Sequence, residues 1–152
     1  MADESAPDPA LGLRSENLIP EPPPGFRRSS GRGAFSTHNG PYFNNDAGAQ
    51  AFFALKRHCN GVGLLHGGML SAFLDGVLAG AAARGGGGGT PITVHLSIDF
   101  LDMGRAGDWV VGEASLTRAA GDLAFVEGRA HVAGRSLARA TGVFKLMRRR
   151  SE

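Results

Sequence analysis

The sequence predicts an α+β domain in which one long, curled antiparallel β-sheet wraps a single buried α-helix. Three observations carry this. Ile92, Val94, Leu96, Ile98 and Phe100 alternate with Thr93, His95, Ser97 and Asp99, which is the period-two pattern of a strand. Met69 to Ala83 is apolar almost all round and is ended by five glycines, Gly85 to Gly89. The last three apolar stretches are separated only by short turn signals, Ala120-Gly121-Asp122 and Ala133-Gly134-Arg135, as antiparallel hairpins require.

Taken in order, Tyr42-Phe43 adds a short edge strand, and Gln50 to Arg57 is the first long one. Met69 to Ala83 is the helix. Its length, about 15 residues, falls short of the roughly 20 needed to span a bilayer, and Asp75 sits in its middle, so it reads as a core helix. Ile92 to Leu101, Trp109 to Arg118, Leu123 to Val132 and Ser136 to Met147 complete the sheet. The last two carry small residues on one face: Ala124, Val126, Gly128, Ala130 and Val132, then Ala138, Ala140, Gly142, Phe144 and Leu146. Small residues there let an Ala- and Gly-rich helix come close.

Residues 1–35 read as a loosely ordered, Pro-rich arm, residues 36–148 as the domain, and residues 149–152 as a tail. The arm has no basic segment followed by an apolar one, so it is no secretion signal. The 152 residues suit one domain, with 42% hydrophobic and 20% charged. A net charge of +2 gives no reason to expect nucleic acid, and Arg148-Arg149-Arg150 reads as a solvated end. One cysteine, Cys59, excludes an internal disulfide framework and fits a cytoplasmic protein. The glycine run lacks the Lys-Ser/Thr pair of a phosphate loop and follows a helix instead of preceding one.

The chemistry lies between His58 and Asp75. His66-Gly67-Gly68 stands immediately before the helix, where free backbone N–H groups and a positive dipole end suit a carbonyl oxygen becoming an oxyanion; a tight turn alone would also use two glycines. Asp75 is a carboxylate in an apolar helix and must be paired, hydrated or shifted in pKa. Asn60 precedes His66 by six residues and can orient a water or hold a carboxylate, while His66 can serve as a base or merely fix the loop. His58, Cys59 and His66 are metal-ligand types, but their spacing matches no zinc pattern. Asp75 lies seven residues past Gly68, about 10 Å along the helix, so one ligand carbonyl cannot touch both within one chain. A symmetric dimer with two shared sites resolves this.

Asn60, the run Gly63-Leu64-Leu65-His66-Gly67-Gly68, Asp75, the strand from Ile92 and the earlier Gly40-Pro41-Tyr42-Phe43 together resemble the hotdog-fold acyl-CoA thioesterases of the PaaI-like, phenylacetic acid degradation branch. The resemblance covers roughly residues 38–147. It implies that the Gly67 N–H polarises the thioester carbonyl and that Asp75 of the other subunit is nucleophile or general base. Asn60 would position water or thioester, His66 would support the turn, and Thr93 would supply a hydroxyl near the water. It further implies that Gly68, Arg105, Arg118 and the Gly121 turn meet coenzyme A, that no metal or other cofactor takes part, and that the chain is a homodimer or homotetramer. No nucleic acid and no membrane insertion are expected. A non-catalytic acyl-CoA sensor and a hydratase or dehydratase of the same fold are the alternatives.

Overall fold

The computed structural model describes residues 18–30 and 33–148. Its elements are β1 (Arg27–Arg28), α1 (Gly33–Asn39), β2 (Phe43–Asn44), β3 (Gln50–Phe53), a 3-10 turn (Lys56–His58), α2 (Gly67–Gly85), β4 (Thr90–Phe100), β5 (Trp109–Ala120), β6 (Leu123–Val132) and β7 (Arg135–Met147). All seven strands form one antiparallel sheet in the order β1-β2-β3-β5-β6-β7-β4. The expected helix-in-sheet architecture is present, and the chain has the hotdog arrangement.

Helix α2 is held to the sheet by one stripe. Met69, Leu70, Phe73, Leu74, Val77, Leu78, Ala81 and Ala82 are buried. They pack against the inward residues of β6 and β7, among them Ala124, Val126, Ala130, Ala138, Ala140, Phe144 and Leu146. Glycine is required at the closest approach: a Cβ on Gly112 of β5 would stand 2.6 Å from Val77 Cγ2 and 2.8 Å from Phe73 Cε1. The helix stops where the Gly86 N–H donates to the Ala82 carbonyl, and Gly87, Gly88 and Gly89 then take positive φ.

The structure corrects several boundaries. The strand expected over Gln50 to Arg57 ends at Phe53, because the chain turns through Lys56–His58. The edge strand expected at Tyr42-Phe43 is Phe43–Asn44, one residue on. Helix α1 spans residue 36, and β1, in the expected arm, pairs with β2 of the expected domain. Elements this short have no periodicity to read. Residues 1–17 of that arm and the tail at 149–152 lie outside the described residues. Among the described residues no helix is long and apolar enough to cross a membrane.

The helix is not apolar on every buried side. Ser71, Ala72, Asp75, Gly76, Ala79 and Gly80 form a half-buried flank. The reason is topological: β4 is the last strand of the sheet, so nothing in the chain lies beyond it.

Candidate active site

The loop before α2 is built by its own side chains. His58, only 4% exposed, accepts the Leu55 N–H on Nδ1 at 3.1 Å and closes the 3-10 turn. Its carbonyl accepts the His66 N–H at 2.9 Å. Burial, then the neighbouring Arg57 charge, push the His58 imidazole down to about 4. Asn60 Oδ1 accepts the N–H groups of Val62 and Leu64, each at 3.1 Å, so this side chain shapes the loop. The Leu65 N–H donates to the Gly104 carbonyl at 2.8 Å, tying the loop to the β4–β5 connection.

His66 is the N-cap of α2: its Nδ1 accepts the Gly68 N–H at 2.9 Å, which leaves the ring proton on Nε2. Of the two readings for His66, the geometry matches the loop-fixing one. It also separates the two glycines. The Gly68 amide is already taken, whereas the Gly67 N–H has no hydrogen-bond partner among the described residues. Gly67 is thus the free donor at the positive end of the helix.

Asp75 lies on the half-buried flank, not in the core, so the argument from deep burial of its charge does not hold. Its Oδ1 accepts the Thr93 hydroxyl at 2.7 Å. A β-bulge puts Thr93 there. Thr93 pairs with Phe144 and His95 with Val143, so Val94 is an extra residue that reverses the alternation. Strict alternation would turn Thr93 away from the helix, with His95 and Ser97; the bulge turns it inward.

Gly67 and Asp75 stand eight residues apart on α2, about 12 Å along the axis. Strand β4 lies alongside both: Thr93 meets Asp75, and a Cβ added to Gly67 would touch the Phe100 ring. The chain therefore does not join the two within itself. Pockets among the described residues include one of about 330 Å³ between α1, Tyr42 and Arg57, a groove of about 460 Å³ on the outer sheet face and one of about 340 Å³ beside the Gly121 turn.

The remaining expected residues are dispersed. Arg105 is exposed in the β4–β5 connection, where its backbone N–H donates to Asp108 Oδ2 at 2.8 Å. Arg118 and Gly121 are at the opposite end of β5, in and beyond a second bulge. His58, Cys59 and His66 each serve local bonds, and among the described residues no group of three or more His, Cys, Asp or Glu is placed to hold a metal. Cys59 donates to the Leu55 carbonyl, and burial raises its pKa, with the Asp108 charge adding to this.

Two neighbours of the site escaped the sequence reading. Gln50, 2% exposed, donates Nε2 to the Gly76 carbonyl at 3.2 Å, one residue past Asp75. A lone amide opening the apolar run Gln50-Ala51-Phe52-Phe53 was its signal. Phe100 stands out in the sequence only as one position of the alternating strand.

A model of the thioesterase superfamily matches residues 62–138, a stretch that holds His66, Gly67, Asp75, Thr93 and Phe100. The chain belongs to that superfamily. Among its relatives, the Pseudomonas aeruginosa protein named Putative esterase PA0474 is 38% identical over 112 residues, covering 70% of this chain and 84% of that protein. The phenylacetic acid degradation-related protein of Ralstonia eutropha JMP134 is 25% identical, with a TM-score of 0.61 and 94% of each chain covered. A thioesterase-fold protein of Streptococcus pneumoniae TIGR4, solved with coenzyme A, shares the fold at a TM-score of 0.63 and 16% identity, covering 84% of this chain and 93% of that one.

Proposed function

We propose that this member of the thioesterase superfamily hydrolyses an acyl-CoA to the free acid and coenzyme A, in a site completed by a second copy of the chain. The observation that carries the reading is the placement of two complementary groups along one open strand. The Asp75–Thr93 pair stands at the start of β4 and the unpartnered Gly67 N–H at its end. Two β4 strands meeting antiparallel about a two-fold axis near their middle would bring the Asp75 of one copy to the Gly67 of the other.

In that arrangement the thioester carbonyl accepts the Gly67 N–H, and the helix dipole stabilises the negative charge that develops on its oxygen. Thr93 holds Asp75 Oδ1, leaving Oδ2 to face the reaction. As general base the carboxylate takes a proton from the attacking water and passes it to the sulfur as the C–S bond breaks, so CoA leaves as the thiol. As nucleophile it forms a mixed anhydride while CoA leaves as a thiolate that is protonated by water, and a second water then hydrolyses the anhydride to the free acid and restores the carboxylate. His66 keeps the Gly67 turn in shape, and Asn60 holds the loop that carries it. Arg105 lies at the Gly67 end, whereas Arg118 and Gly121 lie at the far end and reach the same coenzyme A only from the other copy. The free Cys59 fits a reducing, cytoplasmic setting.

The test is release of free thiol from a panel of acyl-CoAs. Asp75→Asn should lower turnover at least about 1,000-fold, equivalent to roughly 4 kcal/mol of barrier, with fold and assembly kept. Undiminished turnover in that variant would remove Asp75 from the mechanism. Tight acyl-CoA binding by a wild-type protein that releases no thiol would instead favour a sensing module.

A further inference from the structure

Phe100 is out of place for a core residue. It pairs with Ala138 on the helix-facing side of the sheet, where Phe144 and Leu146 are buried, yet it is 55% exposed. Two features cause this. Strand β4 is the free edge, and the residue beneath the ring is Gly67, which has no side chain to cover it. A Cβ built on Gly67 would stand 3.5 Å from Phe100 Cζ and 3.6 Å from Cε1, an ordinary contact distance. The ring therefore stands where a side chain on Gly67 would touch it, beside the residue whose N–H is free.

The chain leaves Phe100 through further apolar exposure. Leu101 is 54% exposed and Met103 56%. The intervening Asp102 is bound to Arg135 at 2.7 Å, so its charge is compensated. The connection is also tied to the loop before α2, since Leu64 bridges Arg105 and the Leu65 N–H donates to Gly104. Phe100 thus stands beside the unpartnered Gly67 N–H, and Leu101 and Met103 continue its apolar exposure along the chain.

We infer that Phe100 is the residue that sets selectivity for the acyl group, favouring apolar acyl chains or rings larger than acetyl. The inference rests on the thioesterase reading above and deepens it. An acyl α-carbon is one bond from the carbonyl carbon whose oxygen the Gly67 N–H would hold. A ring standing where a Gly67 side chain would reach is then the first surface the growing acyl group meets. Hydrocarbon on that surface releases water from both partners, whereas the amide-bearing pantetheine arm of CoA would find no hydrogen-bond partner on it. Acetyl is too short to cover the ring and gains little from it.

The experiment compares acetyl-, hexanoyl- and phenylacetyl-CoA with wild type, Phe100→Ala and Phe100→Leu, measuring kcat/KM by thiol release and the assembly mass by light scattering. Phe100→Ala should lower kcat/KM at least tenfold for the two larger substrates and less than threefold for acetyl-CoA, at unchanged mass. Phe100→Leu should recover most of the hexanoyl rate, and it carries the test if the alanine variant does not fold. An equal fall on all three substrates would overturn the inference, because the ring would then only shape the turn. A changed mass would overturn it too, assigning the ring to the contact between copies. If wild type releases no thiol from any substrate, the thioesterase reading fails and the inference is judged by binding. The ratio of dissociation constants for acetyl- over hexanoyl-CoA must then fall at least fivefold in Phe100→Ala, and an unchanged ratio would sink it.

Discussion

The two edges of the sheet are made differently. At one, β1 and β2 are two residues each, and the outermost strand is Arg27–Arg28, with Arg27 bound to Asp46. Short, charged strands of this kind give another sheet little to pair with. At the other, β4 runs eleven residues with Ile92, Val94 and Phe100 half or more exposed. A long apolar edge is what a monomer avoids. The Asp75–Thr93 pair and the free Gly67 amide both lie along that second edge and nowhere near the first. The unprotected edge is therefore where the proposed catalytic groups are concentrated, and the capped edge is where the fold is merely finished.

This contrast can be broken experimentally. The largest effect is expected from lysines on the open edge. Ile92→Lys with Val94→Lys should convert the assembly to monomers in sedimentation and lower thiol release at least about 100-fold, while circular dichroism stays unchanged because both positions are exposed. A double variant that remains assembled and active would place the seam elsewhere.

The next effect concerns the loop anchored by His58. Its folded pKa is about 4 against 6.5 when unfolded. Above pH 6.5 both states are neutral and the group has no pH effect. As pH falls from 6.5 towards 4, the unfolded chain takes up the proton first, and stability drops by a total of about 3 kcal/mol before levelling off. Denaturant titrations of wild type across that window should show the drop. His58→Asn, which can keep an acceptor for the Leu55 N–H, should show a flatter profile. The smallest effect belongs to the capped edge: Arg27→Ala removes an exposed pair and should change stability by less than about 0.5 kcal/mol in the same titrations.

Much of this was legible in the sequence, and the exceptions have physical reasons. The alternating faces of β6, and of β7 from Ala138 onward, lie where read, as does the run that becomes α2, while the buried Leu137 sits at a register shift that no alternation shows. Gly67 and Asp75 could be singled out because residue type and position before or within an apolar helix constrain what they do. The exposure of Asp75 could not, since it depends on which strand ends the sheet, and strand order is a non-local property. The capping of Gly68 by His66 was equally hidden, because a two-residue hydrogen bond depends on a rotamer. Arg105 and Arg118 stand at opposite ends of β5, as the strand expected over Trp109 to Arg118 implies.

The extra residue in β4 has a consequence for comparing relatives. Val94 has no counterpart on β7, so the strand carries two phases, one on each side of it. A relative lacking that residue would keep its hydroxyl facing the helix with the spacing to the next polar position shortened by one. A relative that keeps all eleven residues but pairs them evenly would present the hydroxyl to solvent, although every letter matched. Strand length counted against β7, and not identity at the threonine column of an alignment, decides whether a homologue can hold its carboxylate as this chain does.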